Sequence, residues 1–361
     1  MTYTDKENEA ACRRRHRAFW EKRSQGTPLV FAVADRPGFE PAPWTTGLPR
    51  KVWDLCPEWH LSMVQNYLDG TCFLGDAMPV ASLMVGLDIT NTAVLAGGDY
   101  DYSSTGDFID FKPGKFDLNR PAPAFTPDHP LARQLKACYE AVIRHVGRRA
   151  LVNPPMTLDA LSTLYGLCGS QDLLKALITD KETIRKRVRE MTCTYLDFYD
   201  YFYQFLQEAG YGESACWFQV FCEGKFEGVR CDFSLMLSPE MFQEFILPEI
   251  AQVCDHMDHT LFNMCSVRHA RFIDDLSGID SLDGIFWNPE PYLDGVRDFL
   301  PELKRIKEKG MLLEIVCHRV DEAVLAVREL GPDGLYLLFE PRFESPDHGN
   351  RALEKIYNAC L

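Results

Sequence analysis

Residues 238–265 read SPEMFQEFILPEIAQVCDHMDHTLFNMC, and this stretch contains a complete helix-to-strand unit. Ser238 is a favoured N-cap residue and Pro239 fits the first helical position, so a helix is predicted as far as Asp258. The apolar run that follows, HTLFNMC, predicts a buried strand that ends at Cys265. A helix that leads directly into a buried strand is typical of a parallel sheet with crossover helices.

The same alternation of strands and helices continues along the chain in both directions. The predicted strands are LVFAV (29–33), RALVNPPMT (149–157), ACWFQVFCEG (215–224), HTLFNMC (259–265), LDGIFWNP (282–289), MLLEIVCH (311–318) and DGLYLLFEP (333–341). At least six βα units favour an α/β fold of the (β/α)8 TIM-type barrel class over an open sheet, because no glycine-rich phosphate loop follows any strand. We therefore expect one barrel domain over residues 1–361, with an irregular N-terminal segment and with residues 87–127 as an insertion or lid.

Composition excludes several classes of function. The 361 residues carry a net charge of −15, so a nucleic-acid partner is not expected. No apolar stretch approaches the length of a membrane span, and the opening residues MTYTDKENEA lack the apolar run of a secretion signal. The thirteen cysteines show no framework spacing, so a cytoplasmic protein with reduced thiols is expected.

Polar residues follow nearly every predicted strand. In a parallel barrel the strand ends meet at one face, where the chemistry of such enzymes is found. The polar residues that could converge there are Asp35, Arg36, Asn153, Cys222, Glu223, Asn263, Cys265, Trp287, Asn288, Cys317, His318, Glu340 and Arg342.

Cysteine, glutamate and histidine at strand ends suggest a zinc centre. Thiolate, imidazole and carboxylate are the ligands that zinc takes, and three protein ligands leave one position open for catalysis. The favoured ligands are Cys265, Cys317 and Glu340, with Glu223 in reserve. His318 or His269 is an alternative imidazole ligand. A single cysteine is nevertheless more often a packed core residue than a ligand, and this alternative stays open for each of them.

Other strand-end residues are candidates for substrate contact or catalysis. Asp232, Arg36 and Asp35 are the candidate catalytic groups, and Asn263, Trp287, His318 and Arg342 are the candidate substrate contacts. Two arginines at one mouth would bind an anionic substrate, although each arginine also has the ordinary alternative of pairing with a nearby carboxylate.

The stretch DFSLMLSPEMFQEFILPEI, from Asp232 to Ile250, resembles the uroporphyrinogen decarboxylase superfamily, in which an acidic residue and then SPE-x-F-x-E-F-x-x-P recur. The segment NPPMTLDALSTLYG and a late turn with Ser345, Pro346 and Asn350 also resemble that superfamily. The resemblance covers about residues 150–361 and implies a TIM-type barrel.

The resemblance implies one of two activities. Decarboxylases of the superfamily act on porphyrinogens without a metal and carry an Arg-Gln-Ala-Gly-Arg-Tyr stretch, whereas this chain has ADRPGF there and keeps only Arg36. The zinc-dependent methyltransferases of the superfamily move methyl groups to or from cobalamin and carry His-x-Cys, which here reads Asn263-Met264-Cys265. In those enzymes a further cysteine follows the last strand, and here that position falls near Glu340.

The first expectation is therefore a zinc-dependent methyltransferase, possibly an O-demethylase component acting on an aromatic methyl ether. Because the Asp-x-His-x-x-Gly pattern of corrinoid carriers is absent, the cobalamin is expected on a partner corrinoid protein. The alternatives are a decarboxylase of a small carboxylated substrate, carried by Asp35 and Arg36, and a non-catalytic barrel that binds a tetrapyrrole or a corrinoid.

Overall fold

A computed structural model describes residues 6–23, 26–44, 50–83, 86–102, 109–114, 116–289 and 296–360. Its strands are β1 Leu29–Asp35, β2 Thr71–Gly75, β3 Val80–Ala81, β4 Asp99–Tyr102, β5 Ile109–Lys112, β6 Leu151–Val152, β7 Glu213–Ser214, β8 Cys222–Glu223, β9 Phe226–Val229, β10 His259–Met264, β11 Gly284–Trp287, β12 Leu312–Cys317 and β13 Leu335–Phe339. No helix in these ranges is long and apolar enough to cross a membrane.

The helices lie between and around these strands. They are α1 Glu9–Trp20, α2 Arg50–Trp53, α3 Pro57–Gly70, α4 Gly86–Leu95, α5 Pro130–Val146, α6 Ala160–Cys168, α7 Ser170–Thr179, α8 Lys181–Glu208, α9 Pro239–Met241, α10 Leu247–His256, α11 Ile273–Leu276, α12 Leu300–Glu308, α13 Val320–Leu330 and α14 Pro346–Asn358. Short 3-10 helices cover Asp232–Met236, Val267–Phe272 and Arg297–Phe299.

The helix predicted from Ser238 is present, but it is not uniform. The Ser238 hydroxyl accepts a hydrogen bond from the Met241 backbone N–H, as the capping pattern predicts. Residues Phe242–Ile246 then form a π-helical turn before α10 begins. Pro248 explains the widened turn, because proline cannot donate the backbone hydrogen bond that a regular helix needs at this position.

The central sheet has seven strands in the order β2-β1-β13-β12-β11-β10-β9. Only the β1–β2 pair is antiparallel, and the strands from β9 to β13 run parallel to one another and to β1. The predicted α/β class with a mostly parallel sheet is therefore confirmed. β3 and β6 pair with each other in parallel as a separate two-stranded sheet.

Alternate residues of the central sheet face two different environments. One face, here called the inner face, carries Leu29, Phe31, Leu261, Phe286, Leu312 and Tyr336, packed against Phe19 and Trp20 of α1. The other, here called the helix face, carries Val30, Ile285, Ile315 and Leu337, packed against α12, α13 and α14. Both faces are apolar because each is covered, which is usual for parallel sheets.

Helix α1 carries a run of basic residues whose side chains pack against the rest of the protein. Arg13 pairs with Glu213, and the Arg15 guanidinium lies 2.7 Å from Asp76. His16 is buried between the Asp76 carbonyl and the Phe221 backbone N–H, and burial lowers its pKa to about 4. These contacts hold α1 against the inner face.

One strand expected from the sequence differs from the structure, and one expected segment is only partly described by it. Residues 215–221 were expected as a strand, but they form turns with no regular ladder, and Phe226–Val229 is the strand that joins the central sheet. Inside the expected insertion at 87–127, the described residues form part of α4 and the β4–β5 hairpin. Residues 103–108 and 115 of that segment lie outside the described ranges.

Candidate functional site

The carboxyl ends of the parallel strands bring a thiol, an imidazole and a carboxylate together. Cys265 directly follows β10, and its thiol donates a hydrogen bond to Asp232 Oδ1 at 3.3 Å. His269 Nδ1 lies 4.0 Å from the same sulfur. Asp232 belongs to the short 3-10 helix after β9, whereas Cys265 and His269 both follow β10, so two neighbouring strand ends supply the three groups.

The tautomer of His269 follows from its second ring nitrogen. The Ser234 hydroxyl donates its only proton to the Cys231 carbonyl at 2.6 Å, so its oxygen must accept from His269 Nε2 at 3.2 Å. Nε2 therefore carries the proton, and the lone pair of Nδ1 faces Cys265. Burial lowers the pKa of His269 to about 4, partly opposed by the charge of Asp232, so the ring is neutral at pH 7.

The structure places two of the predicted site residues on the helix face, which corrects the expectation that they line the mouth. Cys317 is 0% exposed and lies among the helix-face side chains, and burial raises the pKa of its thiol well above its usual value. Trp287 is also 0% exposed and packs against Phe299. Each residue is one position away from the inner-facing residues of its strand, and a shift of one residue reverses the face.

Glu223 lies at the opposite edge of the sheet from Cys265. It precedes β9 and pairs with Arg17 of α1 at 2.7 Å. With Trp20 and His259 it lines a cavity of about 240 Å³ at the edge where the strands begin. Glu223 is therefore not near the other predicted zinc ligands.

Glu340 and His318 remain at the carboxyl edge, next to each other in strand order. His318 is half-buried and follows β12, and Glu340 is exposed and follows β13. The His318 backbone N–H donates to Glu322 at 2.8 Å, which fixes the start of α13.

The two arginines expected to bind an anionic substrate are held by the protein. Arg342 donates to Asp35 at 2.7 Å and to Thr71 Oγ1 at 2.9 Å, across β1 and β2. Arg36 donates to the carbonyls of Asp69 at 2.8 Å and of Thr71 at 2.9 Å. These bonds tie the end of α3 to the sheet, and both side chains are engaged by the protein itself.

A buried acidic cluster behind Asp232 was not anticipated from the sequence. Asp159 caps α6 by accepting from Ser162 N at 2.8 Å, and Glu249 accepts from Ala160 N at 2.5 Å. Burial raises the pKa of Asp159 to about 6 and that of Glu249 well above its usual value. With Arg230 they line a cavity of about 10 Å³, enough for one water molecule. These acids occupy ordinary helix positions in the sequence, so no pattern marked them.

Two more buried polar residues lie on the inner face. Asn263 is 4% exposed and Glu314 is 0% exposed. Asn263 Oδ1 and both carboxyl oxygens of Glu314 have no hydrogen-bond partner among the described residues. Asn263 was expected as a substrate contact, whereas Glu314 was missed, although it is the only charged residue in the apolar stretch MLLEIVC.

Within the described ranges, no group of three or more His, Cys, Asp and Glu side chains stands ready to hold a metal ion. Cys265, Cys317, Glu340 and Glu223 in particular do not come together as a ligand set. No protein-family model matches the chain, and no curated protein matches it. Membership of the uroporphyrinogen decarboxylase superfamily thus stays a prediction.

Proposed function

We propose that β1, β3, β6 and the five strands from β9 to β13 close into an eight-stranded barrel, with β2 as an additional antiparallel strand on β1. Asp76, four residues before β3, binds β1 through its backbone N–H and its carboxylate, at 2.8 Å and 3.0 Å from Val30. On the other side, Asn153 follows β6 and accepts from Ala215 N at 2.9 Å. Both contacts support a path from β1 through β3 and β6 toward β9, and the inner face then becomes the barrel interior.

We propose that the chain is a methyltransferase that works with a corrinoid protein, with Cys265 at the centre of its site. The observation that carries this proposal is the thiol at the end of β10, bracketed by Asp232 and by the unprotonated nitrogen of His269. The substrate would be a small methyl donor, such as an aromatic methyl ether, and cobalamin on the partner would accept the methyl group. The decarboxylase alternative is less well supported, because Arg36 and Arg342 already bind the protein.

The donor types around Cys265 suit zinc better than the set expected from the sequence, although these three side chains do not form a preformed metal site in the described structure. The observed separations from the sulfur are 3.3 Å to Asp232 Oδ1 and 4.0 Å to His269 Nδ1. Cys265, His269 and Asp232 are therefore the proposed ligands, in place of Cys317, Glu340 and Glu223.

Ser234 and Cys231 have a definite role in this arrangement. A histidine that binds a metal usually donates its other ring N–H to an oxygen, which fixes the ring and its tautomer. Ser234 Oγ supplies that oxygen for His269. Bound zinc would supply Lewis acidity toward the substrate heteroatom, while these residues hold the imidazole in place.

The test measures zinc per chain in protein that was purified without a histidine tag. Wild type and Cys317→Ser are expected to hold about one equivalent, and Cys265→Ser and His269→Ala are expected to lose it. Cys317→Ser is the matched control, because the set expected from the sequence needs that thiol and the proposed set does not. Zinc lost equally from Cys317→Ser, with the fold intact by circular dichroism, would refute the proposed set.

Methyl transfer is then assayed directly. Wild type is mixed with cob(I)alamin and a panel of small methyl ethers, and formation of methylcobalamin is followed by its absorbance. Activity that disappears in Cys265→Ser and persists in Cys317→Ser supports the function. Zinc-loaded wild type that methylates no cob(I)alamin with any member of the panel argues against it.

A further inference from the structure

Glu314 occupies an unusual position for an acid. It lies in the middle of β12, beside Phe286 of β11 and Tyr336 of β13 in the hydrogen-bonded register. All three side chains belong to the inner face, whose other members are almost all apolar. A buried carboxyl group without a partner is unfavourable by several kcal/mol, so a residue in this position calls for an explanation beyond packing.

Asn263 lies in the same layer of the sheet. It pairs in register with Phe286, so Asn263, Phe286, Glu314 and Tyr336 form one row across four strands. Cys265 comes two residues after Asn263 and directly follows β10, so this row is the layer next below the end of that strand. Two polar groups of the row, the Asn263 oxygen and the Glu314 carboxyl, have no partner among the described residues.

Aromatic rings surround these two groups. The Trp217 ring lies 5.0 Å from Phe286, and its Nε1 also lacks a partner in the described part of the chain. The Tyr336 hydroxyl is already used, since it donates to the Gln219 carbonyl at 2.9 Å. The row thus combines flat apolar surfaces with polar groups that are available for hydrogen bonds.

The charge of this layer selects the kind of ligand. Burial alone raises the pKa of Glu314 well above its usual value, and no cation opposes that effect. Burial in this apolar layer favours the protonated carboxyl, and the protonated form can donate a hydrogen bond. A neutral ether or hydroxyl oxygen on an aromatic ring would meet both a hydrogen-bond donor and apolar walls here.

We propose that Glu314 and Asn263 form the floor of a substrate subsite beneath Cys265, and that Glu314 is the acid that protonates the departing oxygen. This inference deepens the proposed methyl transfer and rests on it for the chemical step. The electron pair of cob(I)alamin forms the bond to the methyl carbon as the carbon–oxygen bond breaks. The oxygen keeps the pair of that bond and takes the Glu314 proton, which gives methylcobalamin, a phenol and the Glu314 carboxylate. Solvent returns a proton to Glu314 before the next turnover.

Binding tests the subsite without any need for turnover. Calorimetric titration of wild type with phenol is expected to show binding, and Glu314→Leu is expected to bind phenol at least tenfold more weakly. Glu308→Gln, at an exposed position of α12, is the control and should match wild type. Equal phenol affinity in Glu314→Leu and wild type overturns the subsite, whatever the methyl-transfer assay shows. Loss of phenol binding in Glu314→Leu without methyl transfer by wild type supports the subsite and counts against the proposed function instead.

The leaving group tests the acid role. Glu314→Gln keeps a hydrogen-bond donor but has no proton to give, so methyl transfer from anisole should fall by about 10²–10⁴-fold. Transfer from 4-nitroanisole should fall far less, because 4-nitrophenolate leaves without protonation. Zinc content should stay unchanged in this variant. An equal loss of rate with both ethers, or no loss with either, overturns the assignment of Glu314 as the proton donor.

Discussion

The neutral state of Glu314 has a measurable consequence for stability. In the unfolded chain a glutamate ionises with a pKa of about 4.3, whereas in the folded protein burial raises the pKa of Glu314 well above that value. Folding at neutral pH must therefore restore a proton to this residue. The sign follows directly: the contribution is fully present below about pH 4.3 and is lost as pH rises toward the folded pKa.

The magnitude comes from the same linkage. Between the unfolded and the folded pKa, each pH unit lowers the free energy of unfolding by about 1.4 kcal/mol for one proton. Glu314→Gln removes this term, although its buried amide adds a pH-independent cost of about 1–3 kcal/mol. The variant should therefore gain stability relative to wild type by about 1.4 kcal/mol per pH unit, from the unfolded pKa up to the folded pKa of Glu314.

The assay is urea unfolding at several pH values, followed by circular dichroism, for wild type, Glu314→Gln and Glu308→Gln. The other buried acids, such as Glu227 with its pKa raised by burial to about 8, contribute equally to wild type and variant, so the difference isolates Glu314. Glu308 is exposed and its variant should track wild type. A stability difference between Glu314→Gln and wild type that does not change with pH would mean that Glu314 is ionised in the folded protein, and the reasoning would fail.

Three further predictions concern the frame of the site. Asp76→Ala should lower the free energy of unfolding by about 3 kcal/mol, because Asp76 accepts hydrogen bonds from both Arg15 and the Val30 N–H. Removal of the exposed Arg17 side chain should lower it by less than about 1 kcal/mol, and chemical unfolding measures both changes. Gly284→Ala should also destabilise by more than about 2 kcal/mol, since the added Cβ would lie 2.2 Å from the Leu312 carbonyl oxygen, and the melting temperature reports it. Ser234→Ala should weaken zinc binding by about 10–100-fold in competition with a chelator, and Ser234→Thr should restore it.

The elements at the centre of the sheet could be predicted from the sequence because each is a short apolar run between helices. β10 was expected at 259–265 and spans His259–Met264, and β12 was expected at 311–318 and spans Leu312–Cys317. Residues 215–224 show why the same rule fails elsewhere. They are as apolar as a strand, but Cys216, Phe218 and Val220 pack individually into the inner face without forming a ladder.

The face of the sheet to which each side chain points was harder to predict than the position of the strand in the sequence. This difference determined which residues belong to the candidate site. A parallel sheet is apolar on both faces, so the pattern of β12 alone does not show which of its alternate residues look inward. Cys265 and Cys317 both follow such runs, yet only Cys265 reaches the carboxyl-edge cluster. Glu314 was the one clue within the strand itself. Glu314 and Cys317 are three residues apart in β12, so their side chains point to opposite faces of the sheet. Had the acid been taken as the marker of the functional face, Cys317 would have been assigned to the helix face from the sequence, and Glu314 would have entered the site in its place.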